Sequence, residues 1–256
     1  MGSLAGRTAL VTGGSRGIGR GVAERLAREG ALVAVHYGSN REAAEQVVKG
    51  IRADGGRAFA IGAELGVPGD AQALWAAFDA ALAEHGEGAT GLDILVNNAG
   101  IGAHGRIHEV TEADYDRVFA VNVKAPFFIV RQGLDRLRDG GRIINISSGA
   151  TRIAFPAITA YSMTKGALDI LTLTLAQDLG PRGITVNSVS PGIVATDINP
   201  WLADPDAHAE AAAYSVFGRV GRPSDIADVV AFVASDDARW ITGQTLDATG
   251  GSSLGV

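Results

Sequence analysis

Ala9-Leu10-Val11-Thr12-Gly13-Gly14-Ser15-Arg16-Gly17-Ile18-Gly19 decides the fold of this chain. An apolar run of strand type feeds a turn rich in glycine. The turn opens a helical pattern from Gly17 to Arg28, with Val22, Ala23, Leu26 and Ala27 on one face. Glycines allow a tight turn and let a phosphate reach the backbone with no Cβ in the way. The start of the helix then offers unpaired N–H groups and the positive end of its dipole to a pyrophosphate. Strand, turn and helix in this order point to a dinucleotide site.

Outward from this turn, strand-like and helical stretches alternate without repeats or a low-complexity linker. Strands are expected near 7–12, 31–36, 57–62, 93–97, 141–147, 183–190 and 244–247, and helices near 17–29, 40–53, 69–85, 111–137, 157–179 and 224–234. Continuous apolar strands alternating with helices imply a Rossmann-type, doubly wound α/β fold. Its parallel sheet has about seven strands and helices on both faces. The 256 residues suit a single domain spanning 1–256. The segment 197–218, with Pro200, Pro205, Trp201 and an alanine-rich stretch, reads as a substrate lid.

Composition narrows the function. No uncharged apolar run suggests a membrane span, and the first residues lack the pattern of a secretory signal. The absence of cysteine excludes disulfides, thiolate metal sites and a cysteine nucleophile. A net charge of −6 argues against a nucleic-acid surface. The expectation is a cytoplasmic enzyme with no metal, membrane or nucleic-acid partner.

Tyr161-Ser-Met-Thr-Lys165 carries the chemistry, with Ser148 upstream. A phenol normally loses its proton near pH ~10 and is a poor acid–base catalyst at neutrality. A lysine four residues on lies one helical turn away on the same face, so its charge is expected to lower the pKa of Tyr161. The chain has only three lysines, and one of them stands here. Arginine, a planar fork, would not replace that compact charge.

These motifs together resemble the short-chain dehydrogenase/reductase family, and the resemblance runs essentially from end to end. Thr12 to Gly19 matches T-G-x-x-x-G-x-G, and Asn97-Asn98-Ala99-Gly100 matches N-N-A-G. Asn122 falls at the family's catalytic asparagine, Ser148, Tyr161 and Lys165 complete a tetrad, and Pro191 to Thr196 matches P-G-x-x-x-T. The resemblance implies hydride transfer between a nicotinamide and a carbinol carbon. In it Tyr161 moves the proton, Ser148 binds the substrate oxygen, Lys165 also holds the nicotinamide ribose, and Asn122 holds a relay water. It further implies a homotetramer, or a homodimer, built on paired helices.

The cofactor residues expected from the motifs are Gly13, Ser15, Arg16, Gly17, Ile18, Gly19, Tyr37, Ser39, Asn40, Glu64, Leu65, Asn98, Ala99, Gly100, Tyr161, Lys165, Pro191, Gly192, Val194 and Thr196. NAD-using relatives usually place an aspartate at the end of the second strand. Here the stretch reads Val35-His36-Tyr37-Gly38-Ser39-Asn40-Arg41, with no carboxylate. That favours NADP(H) over NAD(H), with Arg16, Ser39, Asn40 and Arg41 available to the 2′-phosphate. Glu64 departs from the family's aspartate near the adenine. The expected reaction interconverts a ketone and a secondary alcohol of a small molecule, with NADPH reducing the ketone or 3-oxoacyl group. The alternatives are a non-catalytic NADP(H)-binding scaffold or sensor, or an epimerase or dehydratase on the same fold. Gly102, Ala103, His104, Ala150, Thr151, Phe155, Ile158, Ile193, Trp201 and Leu202 are the candidate substrate walls.

Overall fold

β1 (Thr8–Val11) is buried along its whole length and ends at the glycine turn, beyond which α1 (Gly17–Arg28) begins. The computed structural model describes residues 2–86 and 88–254. β2 (Leu32–Tyr37), α2 (Arg41–Ala53), β3 (Arg57–Gly62), α3 (Asp70–His85) and β4 (Leu92–Asn97) complete the first half. The second half holds α4 (Glu112–Phe119), α5 (Ala125–Gly133), β5 (Leu137–Ile146), α6 (Thr159–Leu179), β6 (Thr185–Pro191), α7 (Pro205–Ala213), α8 (Pro223–Ala234) and β7 (Thr245–Ala248).

Among the described residues seven strands form one sheet in the order β3-β2-β1-β4-β5-β6-β7, and every pairing is parallel. Alternate residues of one strand feed two cores. On one face Val11, Val33, Val35, Ile94, Val96 and Ile144 meet Val22, Leu26, Val47, Ile51, Ile226 and Val230 of α1, α2 and α8. On the other, Leu10, Ala34, Phe59, Leu95 and Ile143 meet Trp75, Phe78, Ile129 and Leu179 of α3, α5 and α6. Burial on both faces is why the strands read as unbroken apolar runs. Each fully buried Leu, Ile or Val contributes roughly 1.5–3 kcal/mol.

The chain runs outward in opposite directions from the β1/β4 junction, which opens a crevice at the carboxyl ends of the strands. Thr12 locks that junction. Its hydroxyl donates to the Val96 carbonyl at 3.2 Å and accepts from the Asn98 and Ala99 amides at 2.9 and 3.0 Å.

Three expectations are corrected. The single helix over 111–137 is instead α4, a π-helical turn at Ala120–Lys124, and α5. Pro126 has no N–H to return to the Asn122 carbonyl, so the regular ladder breaks there. β5 begins at Leu137 rather than near 141, and its register with β4 shifts between Leu92 and Ile94. The segment 197–218 contains a regular helix, α7, capped by Asp204, whose carboxylate accepts from the amides of Asp206 and Ala207. Among the described residues no helix is long and apolar enough to cross a membrane.

Candidate active site

The glycine turn is built to meet an anion. Gly13 and Gly17 take positive φ values of 63° and 54°, where L side chains are strained. A Cβ on Gly19 would lie 2.2 Å from the Gly13 carbonyl oxygen, so only glycine lets α1 start this close to the loop. α1 has no side-chain cap and no acidic residue in its first turn. Its free N–H groups and dipole therefore face the cleft uncompensated. Asn98 donates from its amide to the carbonyls of Thr12 and Gly13 at 2.8 and 3.1 Å, so its side chain braces the turn. These features fit the pyrophosphate of a dinucleotide.

A cleft of about 1190 Å³ runs from this turn over the ends of the strands. Every expected cofactor residue lines it except Tyr37. The Tyr37 ring turns away and packs against Gly62, where a Cβ would come within 2.8 Å of it. Asn40 caps α2, its oxygen accepting from the Ala43 amide at 3.0 Å, so a second helix start opens beside Gly38 and Ser39. Arg16 is exposed, and its guanidinium lies 3.9 Å from Asp197. Arg41 is paired with Glu45 along α2 and does not line the cleft. The Glu64 carboxylate lies 3.8 Å from Arg117.

His36, passed over in the sequence as one more residue of an apolar strand, also lines the cleft, with only 1% of its surface exposed. Its Nδ1 accepts from the Gly13 amide at 3.0 Å and its Nε2 bonds the Ala63 carbonyl at 2.9 Å. Burial pulls the imidazole down to about 4 from its usual value, opposed by the bond to Ala63.

At the far end, α6 brings Tyr161 and Lys165 against Ser148, which follows β5. Lys165 is 4% exposed, and its Nζ donates to the Ile146 carbonyl at 2.8 Å, 5.6 Å from the centre of the Tyr161 ring. Burial lowers the lysine to about 8, against the pull of Asp169 one turn along. Tyr161 goes the other way to the expectation. Burial raises its phenol, and the Ser148 hydroxyl only partly offsets this. The reason is burial, which disfavours the charged phenolate. Tyr161 is therefore an acid that stays protonated through neutrality. Ser148 accepts from the Ala150 amide at 3.2 Å, which leaves its proton to give. Ser147 points the other way, toward the Lys165 carbonyl at 3.4 Å.

Asn122 sits in the π-helical turn, buried and outside the lining of the cleft. Its oxygen accepts from the Ile101 amide at 2.9 Å. Its nitrogen donates to the Ile101 carbonyl at 2.9 Å and to the Thr164 hydroxyl at 3.1 Å. Both amide N–H groups are thus spent on tying Ile101, just past the Asn97–Gly100 loop, to α6, and neither is left for a water.

Residues 13–253 match the family model described as enoyl-(acyl carrier protein) reductase. The chain belongs to the short-chain dehydrogenase/reductase family. A versicolorin reductase of Emericella nidulans is 41% identical over 261 residues, covering 97% of this chain and 96% of that one. The crystal structure of the angucycline C-6 ketoreductase LanV with bound NADP has a TM-score of 0.96 at 54% identity, covering 99% and 98% of the two chains. The promiscuous reductase LugOII, which catalyses keto-reduction at C1 during lugdunomycin biosynthesis, has a TM-score of 0.95 at 53% identity, covering 98% and 100%.

In this short-chain dehydrogenase/reductase Gly102, Ala103, His104, Ala150, Phe155, Ile158, Ile193 and Trp201 of the candidate walls line the cleft, whereas Thr151 and Leu202 stay outside it. Ile153, Ala207, Glu210, Ala211, Tyr214 and Ser252 are additions that the sequence did not announce. Segment 197–218 reaches across, the Tyr214 and Phe155 rings lying 5.6 Å apart at 52°. Its far end is tied to the tail, Ser215 and Val216 both bonding the Gly250 carbonyl.

Two outcomes follow from the titration of buried groups. Lys165→Met removes a charge that is costly to bury, so the melting temperature holds or rises. Turnover falls by roughly 10²–10⁴-fold, the share of a positioned acid–base group; calorimetry and steady-state rates check both. For His36, the unfolded chain takes up a proton near pH 6.5 and the folded chain only at about 4. Its contribution to stability is complete above pH 6.5 and is lost as pH falls from 6.5 toward 4. Urea unfolding at pH 7 and pH 5 is expected to show that loss in the wild type and a smaller one in His36→Asn.

Proposed function

We propose that this chain is an NADPH-dependent reductase that converts a ring ketone of a flat, fused-ring molecule to a secondary alcohol. The carrying observation is the convergence of two proton donors, the Tyr161 phenol held in its acid form by burial and the Ser148 hydroxyl, at the floor of a dinucleotide-sized cleft with a largely apolar outer half. The bound nicotinamide supplies the hydride. Tyr161 delivers the proton to the carbonyl oxygen, and Ser148 stabilises the charge that grows there. Lys165, charged below pH ~8, lies where it restrains the ribose and favours the phenolate left after transfer. The Asn122 carbonyl, freed of its usual helical donor by Pro126, is the seat for a relay water.

The 2′-phosphate is taken by Arg16 with Ser39 and the start of α2. This choice is supported by the missing carboxylate after β2 and by the NADP bound in LanV. A fused-ring substrate is supported by the slot between Phe155, Ile158, Trp201 and Tyr214, and by relatives named for versicolorin, angucycline and lugdunomycin chemistry. A soluble nicotinamide cofactor suits a cytoplasmic setting. Association into a dimer or tetramer is supported by the exposed apolar residues Phe127, Ile170 and Leu173 on α5 and α6.

Following NADPH oxidation over a panel of fused-ring ketones, single-ring ketones and 3-oxoacyl thioesters tests the substrate. Fused-ring ketones are expected to give the highest kcat/KM, and a preference for the thioesters would overturn this choice. Light scattering is expected to give a dimer or tetramer, reduced to smaller species by Ile170→Asp with Leu173→Asp. A monomeric wild type would contradict the association.

A further inference from the structure

His36 stands at the end of a strand whose other residues are aliphatic until Tyr37, in a position that the fold gives no packing reason to make polar. Burying an imidazole is unfavourable unless both nitrogens find partners. Both do, and the partners belong to different strand ends. The Gly13 amide can only donate, so Nδ1 must be the bare nitrogen and Nε2 must carry the proton that goes to the Ala63 carbonyl. The partners therefore fix the tautomer. Backbone bonds flank the ring on each side, Gly14 N–H to the His36 carbonyl at 2.8 Å and Ala63 N–H to the Tyr37 carbonyl at 3.1 Å.

Gly13 begins the pyrophosphate turn, and Ala63 immediately precedes Glu64 and Leu65, the wall assigned to the adenine. One rigid ring thus spans the two sides of the adenosine half of the cleft and also forms part of its lining. We propose that His36 is a positioning residue for the cofactor, setting the spacing between the pyrophosphate turn and the adenine wall through its two hydrogen bonds. The ring touches none of the reacting atoms, so its loss weakens cofactor binding and spares the chemical step. A neutral imidazole is required, and burial keeps it neutral at working pH. The inference rests on the NADP(H) reading of the cleft.

Calorimetric titration of the protein with NADP⁺ and with adenosine 2′,5′-bisphosphate, which occupies the adenosine half alone, tests it. His36→Phe fills the space and leaves Gly13 N–H and Ala63 C=O unpaired. It is expected to weaken both ligands by about 10-fold or more. Its kcat at saturating NADPH stays within about twofold, since no interaction specific to the transition state is lost. In the ligand-free protein, amide hydrogen exchange over 12–15 is expected to quicken. His36→Asn puts a carboxamide oxygen near the place of Nδ1 and is expected to recover much of the affinity. His36→Gln, whose longer chain carries its amide past Gly13, recovers less. The Asn–Gln comparison decides the matter if His36→Phe does not fold. Equal affinity of wild type and variants for the bisphosphate would make His36 a space-filling residue and overturn the proposal alone. Failure of the wild type to bind either ligand would overturn the cofactor assignment and the proposal with it.

Discussion

An ammonium group held 2.8 Å from the Ile146 carbonyl, with almost no solvent around it, is the constraint on which the active end of this molecule depends. A buried charge is tolerated only where the backbone is arranged to receive it. Here β5 supplies the carbonyl, α6 supplies the lysine, and Asp169 on the next turn adds a counter-charge. Keeping water out lowers Lys165 and raises Tyr161, because burial disfavours the charged form of each. Burial does to Tyr161 what the carbonyl reductase reading requires of an acid. The lysine's charge matters after the proton has left, when the phenolate needs a partner.

The same economy of parts builds the other end of the cleft. Reversal of strand order at β1 and β4 opens the crevice, and short polar side chains hold it to shape. Thr12 and Asn98 fasten the glycine turn to β4, His36 fastens it to β2 and β3, and Asn122 fastens Ile101, just past the Asn97–Gly100 loop, to α6 through Thr164. Each of these groups is buried or half-buried and hydrogen-bonded, so each link costs little and restricts much. What remains unspent at the surface of the cleft is the set of groups a ligand needs: the uncapped start of α1, the Ser148 hydroxyl and the Tyr161 phenol.

The legible parts were those written locally. The glycine turn, the parallel sheet and the Ser148, Tyr161 and Lys165 constellation are sequence patterns with fixed backbone consequences, and they lie where the patterns put them. The missed parts depend on contacts between distant segments. His36 sits in an apolar strand and takes its meaning from Gly13 and Ala63, which no spacing rule connects to it. Tyr37, next to it, was expected in the cleft because it ends β2, but strand alternation turns its ring to the opposite face. Pro126 in an otherwise helical stretch was the available signal for the break beside Asn122. The direction of the Tyr161 shift could not be read from Lys165 alone, because desolvation outweighs the neighbouring charge. Alanines in segment 197–218 concealed α7, although Asp204-Pro205 is a helix start of the usual kind.

Mass spectrometry of the alcohol formed from a fused-ring ketone and NADPH deuterated at both C4 positions tests the carbonyl-reductase assignment most directly. One deuterium on the carbinol carbon, with no product from Tyr161→Phe, is the predicted result. Tight binding of NADPH with no labelled alcohol, or label returned to the cofactor without net reduction, would contradict a hydride-transferring ketone reductase.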